Sequence, residues 1–114
     1  MKTIVAGSRE ITSYRDVEDA ILSSGFEITE VVSGTARGVD RLGEEYARNN
    51  NIPVSKFPAD WDTHGKKAGY IRNSEMADHA DALIAIWDGE SRGTKHMIDI
   101  AERKSLDVFI YQPK

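Results

Sequence analysis

Short apolar runs alternate with amphipathic segments along this chain. Five runs rich in β-branched residues are continuous rather than alternating, which is typical of strands buried on both faces of a sheet. They cover residues 3–6, 28–32, 52–57, 82–87 and 108–111. Because a helical pattern follows each of the first four runs, we predict an α/β fold with about five mostly parallel strands and four main helices.

The four amphipathic segments carry apolar residues at helical spacing. The first begins after Ser13, a predicted N-cap, and the second begins at Val39. The third covers about residues 67–79 and the fourth about residues 93–104. One long connection is expected at residues 58–66, PADWDTHGK. Connections of that length in compact domains are often functional.

Length and composition narrow the class of protein. The 114 residues suit a single domain over residues 1–114, and there is no cysteine for disulfides or thiolate metal sites. No apolar run approaches the roughly 18 residues of a membrane span, and the N-terminus lacks a signal-peptide pattern. We therefore expect a cytoplasmic protein without a membrane partner. The net charge of -4 argues against a nucleic-acid partner, because such domains usually carry a basic excess.

Polar and glycine-rich segments follow the first four predicted strands. In open α/β sheets, ligands bind beyond the carboxyl ends of the strands, near the point where strand order reverses. Residues from four separate segments should therefore converge on one edge. The candidate ligand-binding residues are Gly7, Ser8, Arg9, Ser33, Gly34, Thr35, Arg37, Gly38, Asp60, Trp61, Arg72, Asn73, Asp88, Ser91, Arg92, Gly93 and Thr94.

The chemistry of these segments fits an anionic ligand with a polar body. Glycine lets a phosphate approach the N–H groups of a helix N-terminus, and hydroxyl and guanidinium groups add donors. Asp60 or Asp88 could hold a ribose diol, and Trp61 could stack on a base. Taken singly, a glycine can be a turn residue, a serine a helix cap and an arginine a solvated side chain. The joint placement is what favours a binding site.

The remaining polar residues identify no clear catalytic apparatus. Asp40 could orient Arg37 or simply favour the first turn of a helix, and Asp60 and Asp88 are weak catalytic candidates. The three histidines show no ligand spacing, so no metal site and no cofactor are predicted. The chain also lacks a nucleophile elbow, a Walker motif and a G-x-G-x-x-G fingerprint, which argues against a standard ATPase or dehydrogenase.

Four motifs in this order resemble the YspA/YpsA-related branch of the SLOG superfamily. They are GSR, SGTARGVD, FPADWDTHGKKAGYIRN and WDGESRGT, and the resemblance covers residues 4–111. It implies a Rossmann-like three-layer fold and a pocket for a nucleotide or a nucleotide-derived ligand. It also implies a ligand sensor or a processing enzyme, often in phage and bacterial conflict.

Two related groups refine what the resemblance implies. The Lonely Guy phosphoribohydrolases carry a PGGxGTxxE motif, to which Gly93 and Thr94 correspond, while Met97 stands at the position of the glutamate. Arg72 could match an arginine of their third-helix motif. The DprA Rossmann domain, which binds single-stranded DNA, is a more distant parallel.

These observations favour a module that binds or senses a nucleotide-derived small molecule. The alternative is a hydrolase that cleaves an N-glycosidic or phosphoester bond of such a ligand, and single-stranded DNA binding ranks third. Pairing into a homo-oligomer would enlarge the core of so short a chain.

Overall fold

The computed structural model describes residues 1–113, and its strands and helices alternate along the chain. The strands are β1 (Lys2–Gly7), β2 (Glu30–Ser33), β3 (Val54–Lys56), β4 (Ala82–Ile86) and β5 (Asp107–Tyr111). The helices are α1 (Tyr14–Ser24), α2 (Val39–Asn49), α3 (Trp61–His64), α4 (Ala68–His79) and α5 (Arg92–Arg103), with a 3-10 turn at Gly65–Lys67. Within the described range, no helix is long and apolar enough to cross a membrane.

β1 is the central strand of a parallel sheet with the order β3-β2-β1-β4-β5. Thr3 of β1 lies opposite Val31 of β2 on one side and Ala82 of β4 on the other. The chain runs outward from β1 to β3 and then crosses to β4, so the strand order reverses between β1 and β4. The predicted α/β fold is confirmed, and every strand pair is parallel. Ligands bind at such a reversal in open α/β sheets.

Apolar side chains cover both faces of the sheet. On one face, Ile4 and Leu83 pack with Met76 of α4 and Met97 of α5. The opposite face packs against α1 and α2 through Val5, Val17, Val31, Val39 and Ile84. Neighbours in β1 therefore point to opposite layers, which explains why the strand sequences are continuously apolar.

The element boundaries follow from local caps. Ser13 is confirmed as the N-cap of α1, because its Oγ accepts a hydrogen bond from the N–H of Asp16 at 3.4 Å. The long connection predicted over residues 58–66 lies between β3 and α4, and it contains the short helix α3. Asp60 caps α3 by accepting from the N–H of Thr63 at 3.1 Å, and a 3-10 turn leads on into α4. This short helix places Trp61 beside the carboxyl ends of the strands.

Candidate functional site

Two adjacent clefts open beyond the carboxyl ends of the strands. The central cleft has a volume of about 490 Å³, and its charged, hydroxyl and amide side chains are Ser8, Arg9, Glu10, Asp40, Lys66, Tyr70, Arg72, Asn73, Asp88, Glu90, Ser91 and Thr94. The side cleft has a volume of about 320 Å³ and is lined by Arg9, Gly34, Thr35, Ala36, Arg37, Pro58, Ala59, Trp61 and Arg72. Both are lined by Arg9, Ala36, Trp61 and Arg72.

Ser8 joins the ends of β1 and β4 at the base of the central cleft. Its N–H donates to the carbonyl of Ile86 at 3.2 Å, and its Oγ accepts from the N–H of Asp88 at 3.3 Å. The side chain is buried. The next residue, Arg9, is exposed, and within residues 1–113 its guanidinium makes no ion pair. This loop therefore exposes the guanidinium group of Arg9 next to Ser8, whose position is fixed by its hydrogen bonds.

The loop after β2 is folded around two polar side chains. Ser33 is buried, donates from Oγ to Glu44 at 2.6 Å and accepts from the N–H of Thr35 at 3.0 Å. Asp40, in the first turn of α2, accepts from the N–H of Ala36 at 3.1 Å. These bonds hold Thr35 at a φ of 65°, a conformation that non-glycine residues rarely adopt.

Asp40 and Arg72 meet at Gly34. Arg72 donates from Nη1 to the carbonyl of Gly34 at 2.5 Å and from Nε to Oδ1 of Asn73 at 3.0 Å. A Cβ on Gly34 would lie 2.7 Å from Nη1 of Arg72 and 2.8 Å from Oδ2 of Asp40. Glycine is therefore required at this position for the guanidinium to reach the loop.

Burial perturbs the pKa values of both charged groups at Gly34. Asp40 is 6% exposed, and burial raises its pKa to about 6, against the opposing effects of the Ala36 N–H and the charge of Arg72. Burial also lowers the pKa of Arg72, and the positive charge of Arg9 adds to that effect. A carboxyl group with a raised pKa beside a cleft is a recognised feature of functional sites.

The start of α5 forms another wall of the central cleft. Ser91 caps the helix by accepting from the N–H of Thr94 at 3.3 Å. The carboxylate of Asp88 accepts from the N–H groups of Glu90 at 2.8 Å and Ser91 at 2.9 Å, and these bonds lower its pKa. A Cβ on Gly93 would meet nothing within 4 Å, so the first turn of the helix is open to the cleft.

Side chains from α3 and α4 complete the rim. Trp61 is 52% exposed, and Tyr70 packs on the ring of His96 with centroids 4.4 Å apart. Asn73 donates to the carbonyl of Gly93 at 3.4 Å, and its amide nitrogen lies 3.1 Å from Nδ1 of His96. Because burial lowers the pKa of His96, its Nδ1 can accept that bond. Two exposed aromatic faces thus border a polar cleft.

Comparison with known proteins identifies the family of this chain. A model of the "YspA, cpYpsA-related SLOG family" matches residues 1–64, and the Gene 61 protein of Mycobacterium phage D29 is 32% identical over 123 aligned positions. That alignment covers 99% of this chain and 98% of the phage protein. The chain belongs to the YspA/cpYpsA-related SLOG family.

A solved structure supports the fold of this SLOG family member. DNA processing protein A (DprA) of Streptococcus pneumoniae superposes with a TM-score of 0.74 at 21% identity. The match covers 96% of this chain and 49% of the DprA chain, so the chain spans about half the length of that protein. The Rossmann-like fold that the motifs imply is confirmed.

The structure brings most of the predicted ligand-binding residues together. Ten line the central cleft: Gly7, Ser8, Arg9, Trp61, Arg72, Asn73, Asp88, Ser91, Gly93 and Thr94. Three line only the side cleft: Gly34, Thr35 and Arg37. Their roles in ligand binding stay predictions. Arg37 extends outward, where it pairs with Glu10 at 2.9 Å and is 72% exposed.

Four predicted residues line neither cleft: Ser33, Gly38, Asp60 and Arg92. The hydroxyl of Ser33 donates a hydrogen bond to Glu44, Asp60 caps α3, and Arg92 is exposed at the start of α5. Gly38 has a φ of 80°, and a Cβ there would lie 2.6 Å from the carbonyl oxygen of Arg9. Three of these residues therefore have evident structural roles.

Sequence reasoning left several cleft residues out of the predicted site, above all Asp40, Tyr70 and Met97. Asp40 was interpreted as a partner of Arg37 or a first-turn residue; it does lie in the first turn of α2, but it is buried beside Arg72. The signal available in the sequence was its position two residues after Gly38, within a segment already assigned to the site. Met97, at the position of the phosphoribohydrolase glutamate, is buried and lines the cleft with an apolar side chain.

Proposed function

We propose that the central cleft binds a nucleotide or a nucleotide-derived small molecule, and that the protein acts as a ligand-binding or sensing module. The observation that carries this proposal is the convergence of Ser8, Arg9, Arg72 and Thr94, from four separate segments, on one cleft. The cleft lies where the strand order reverses, the usual ligand position in this fold class.

A phosphate group suits the wall formed by the start of α5. The helix has 12 residues, and Gly93 in its first turn leaves the backbone accessible. The partial positive charge of a helix N-terminus attracts phosphate. Arg72 is half-buried and is held by two hydrogen bonds, so it can meet an anion with little loss of side-chain freedom.

The nucleoside part of the ligand suits the carboxylate and the aromatic rings that also line the central cleft. The ionised carboxylate of Asp88 can accept hydrogen bonds from ribose hydroxyls in addition to those from the backbone. The exposed rings of Trp61 and Tyr70 offer faces on which a base can stack. A ligand with both an anionic and a hydroxyl-rich part therefore matches the mixed charge of the lining.

Binding is tested with a panel of nucleoside monophosphates, cyclic nucleotides and ADP-ribose derivatives. We expect at least one to raise the melting temperature and to bind in calorimetry, and Arg9→Ala and Arg72→Ala to weaken that binding at least tenfold. Arg9 is exposed, so its variant separates lost binding from lost folding. Arg41→Ala, which removes an exposed arginine outside both clefts, serves as the control. Absence of binding across the panel would refute the proposal.

Hydrolysis of the bound ligand is the second candidate function, and the buried carboxyl of Asp40 favours it. A pKa of about 6 suits a group that exchanges a proton near neutral pH. The test is release of base or phosphate from the bound ligand, analysed by chromatography. Release that Asp40→Asn abolishes while binding persists would support a hydrolase, and binding without release supports a sensor.

The biological setting belongs to the same proposal. Similarity to a phage protein supports a role in phage and bacterial conflict. The DprA match, at 21% identity, bears on the fold alone. Salt-dependent retention of a single-stranded oligonucleotide, stronger than binding of any nucleotide, would favour nucleic acid instead.

A further inference from the structure

The side cleft differs from the central cleft in its charge. Its lining residues include three arginines, Arg9, Arg37 and Arg72, and no carboxylate. The central cleft carries three basic residues, Arg9, Lys66 and Arg72, against four acidic ones, Glu10, Asp40, Asp88 and Glu90. An anionic group that reaches both clefts therefore meets the more favourable potential in the side cleft.

Each of the three arginines has donor capacity to spare. Arg72 uses Nη1 and Nε in hydrogen bonds, and its Nη2 makes none to residues 1–113. The guanidinium of Arg9 makes no ion pair within the described chain. Arg37 pairs with Glu10, but the two side chains are 72% and 80% exposed, and such surface pairs are weak. An arriving phosphoryl group can compete for all three.

Arg72 stands at the boundary of the two clefts. It lines both, and so do Arg9 and Trp61, so the two clefts are adjacent and Arg72 can contact an anionic group in either. Guanidinium groups bind phosphoryl oxygens through two parallel hydrogen bonds, which suits them to a chain of linked phosphates.

We propose that the side cleft is a second phosphoryl subsite, so that the ligand is a nucleoside diphosphate or a derivative of one rather than a monophosphate. The first phosphate lies in the central cleft, and the second lies between Arg37 and Arg72. This inference rests on the proposed function and adds to it the class of ligand.

The test compares matched pairs of nucleotides, AMP with ADP and likewise for guanosine, cytidine and uridine, by calorimetry in metal-free buffer. We expect at least one diphosphate to bind roughly tenfold or more tightly than its monophosphate, as an added charge-assisted contact would give. Arg37→Ala should remove most of that preference and leave monophosphate binding unchanged, since Arg37 lines only the side cleft.

Two further variants sharpen the result. Arg41→Ala removes the same charge from the exposed surface of α2 and should leave the preference intact. Glu10→Gln releases Arg37 from its partner and should strengthen diphosphate binding more than monophosphate binding; because Glu10 also lines the central cleft, an equal gain for both would count against the subsite.

The outcomes separate this inference from the proposed function. Equal binding of both members of every pair, with no effect of Arg37→Ala, overturns the subsite while nucleotide binding stands. Failure of all eight nucleotides to bind overturns the subsite, and failure of the cyclic nucleotides and ADP-ribose derivatives as well refutes the proposed function. Tighter binding of a short oligothymidine than of any diphosphate, lost in Arg37→Ala, would assign the side cleft to a nucleic-acid strand and also overturn the inference.

Discussion

Replacing Asp40 with asparagine should stabilise the protein at neutral pH, which is the reverse of the usual effect of a buried substitution. Asp40 is 6% exposed, and its pKa rises from 3.8 to about 6 on folding. Between those two values the native state holds a proton that the unfolded chain has lost. The stability that the protonated group contributes is therefore complete below pH 3.8 and is lost as the pH rises through about 6.

The magnitude follows from the two pKa values. One pKa unit corresponds to about 1.4 kcal/mol, so the ionised Asp40 lowers the free energy of unfolding by about 3 kcal/mol at pH 7.5. Asparagine keeps the shape and an oxygen that can accept from the N–H of Ala36, but it carries no charge. We expect Asp40→Asn to gain about 3 kcal/mol at pH 7.5 and only about 1 kcal/mol at pH 4.5.

Urea unfolding at the two pH values measures this difference. With an m-value of about 2 kcal/mol/M, the midpoint at pH 7.5 should rise by about 1.5 M. Asp19→Asn makes the same chemical change on the exposed surface of α1 and should shift stability by no more than about 0.5 kcal/mol. A variant less stable than the wild type at pH 7.5 would show that Arg72 and the Ala36 N–H outweigh the effect of burial, and a gain equal at both pH values would show that it does not come from the titration of Asp40.

Three other substitutions test the geometry, each measured by urea or thermal unfolding. Gly34→Ala should destabilise the protein by about 1–3 kcal/mol, because its Cβ would crowd Arg72 and Asp40. Gly93→Ala adds a Cβ in open space and should not destabilise the protein, so equal losses in the two variants would contradict the reasoning. Ser91→Ala should lose about 1 kcal/mol through the α5 cap, with Ser91→Asp restoring it, and an unchanged stability would argue against the cap. The hydrogen bond with His79 at 2.5 Å lowers the pKa of Glu30, so its contribution is present above pH 4.5 and is lost as the pH falls through the lowered pKa. Glu30→Gln should therefore cost up to about 1 kcal/mol at pH 6 and less at pH 3, and a larger cost at pH 3 would contradict the assignment.

The sheet was predictable because a parallel strand buried on both faces must be apolar at every position. The apolar runs around Ile4, Val31 and Leu83 satisfy that requirement, and a helical pattern fills each interval. The convergence of the loops on one edge followed from the same topology, since parallel strands end on the same side. These parts of the prediction rest on backbone direction alone.

The directions of individual side chains were harder to predict from the sequence. Arg37 follows β2 as the prediction requires, yet its side chain points outward because it pairs with Glu10. The two residues are 27 positions apart in the sequence, so the sequence pattern does not reveal the pair. Asp40 and Arg72 lie close together only because Gly34 has no side chain between them. The sequence pattern does not predict this contact. Residues 58–66 were predicted only as a long connection, because a one-turn helix capped by Asp60 is too short to show a hydrophobic period.

Two consecutive residues of α4 tie together a loop of the side cleft and the helix start that borders the central cleft. Arg72 is bonded to the carbonyl of Gly34, on the side of β2, and Asn73 is bonded to the carbonyl of Gly93, on the side of α5. Because both side chains leave from adjacent positions of one helix, the spacing between the loop after β2 and the start of α5 is fixed by the fold itself. A ligand that binds there as proposed would meet a preformed site, and little of its binding free energy would be spent on ordering the protein.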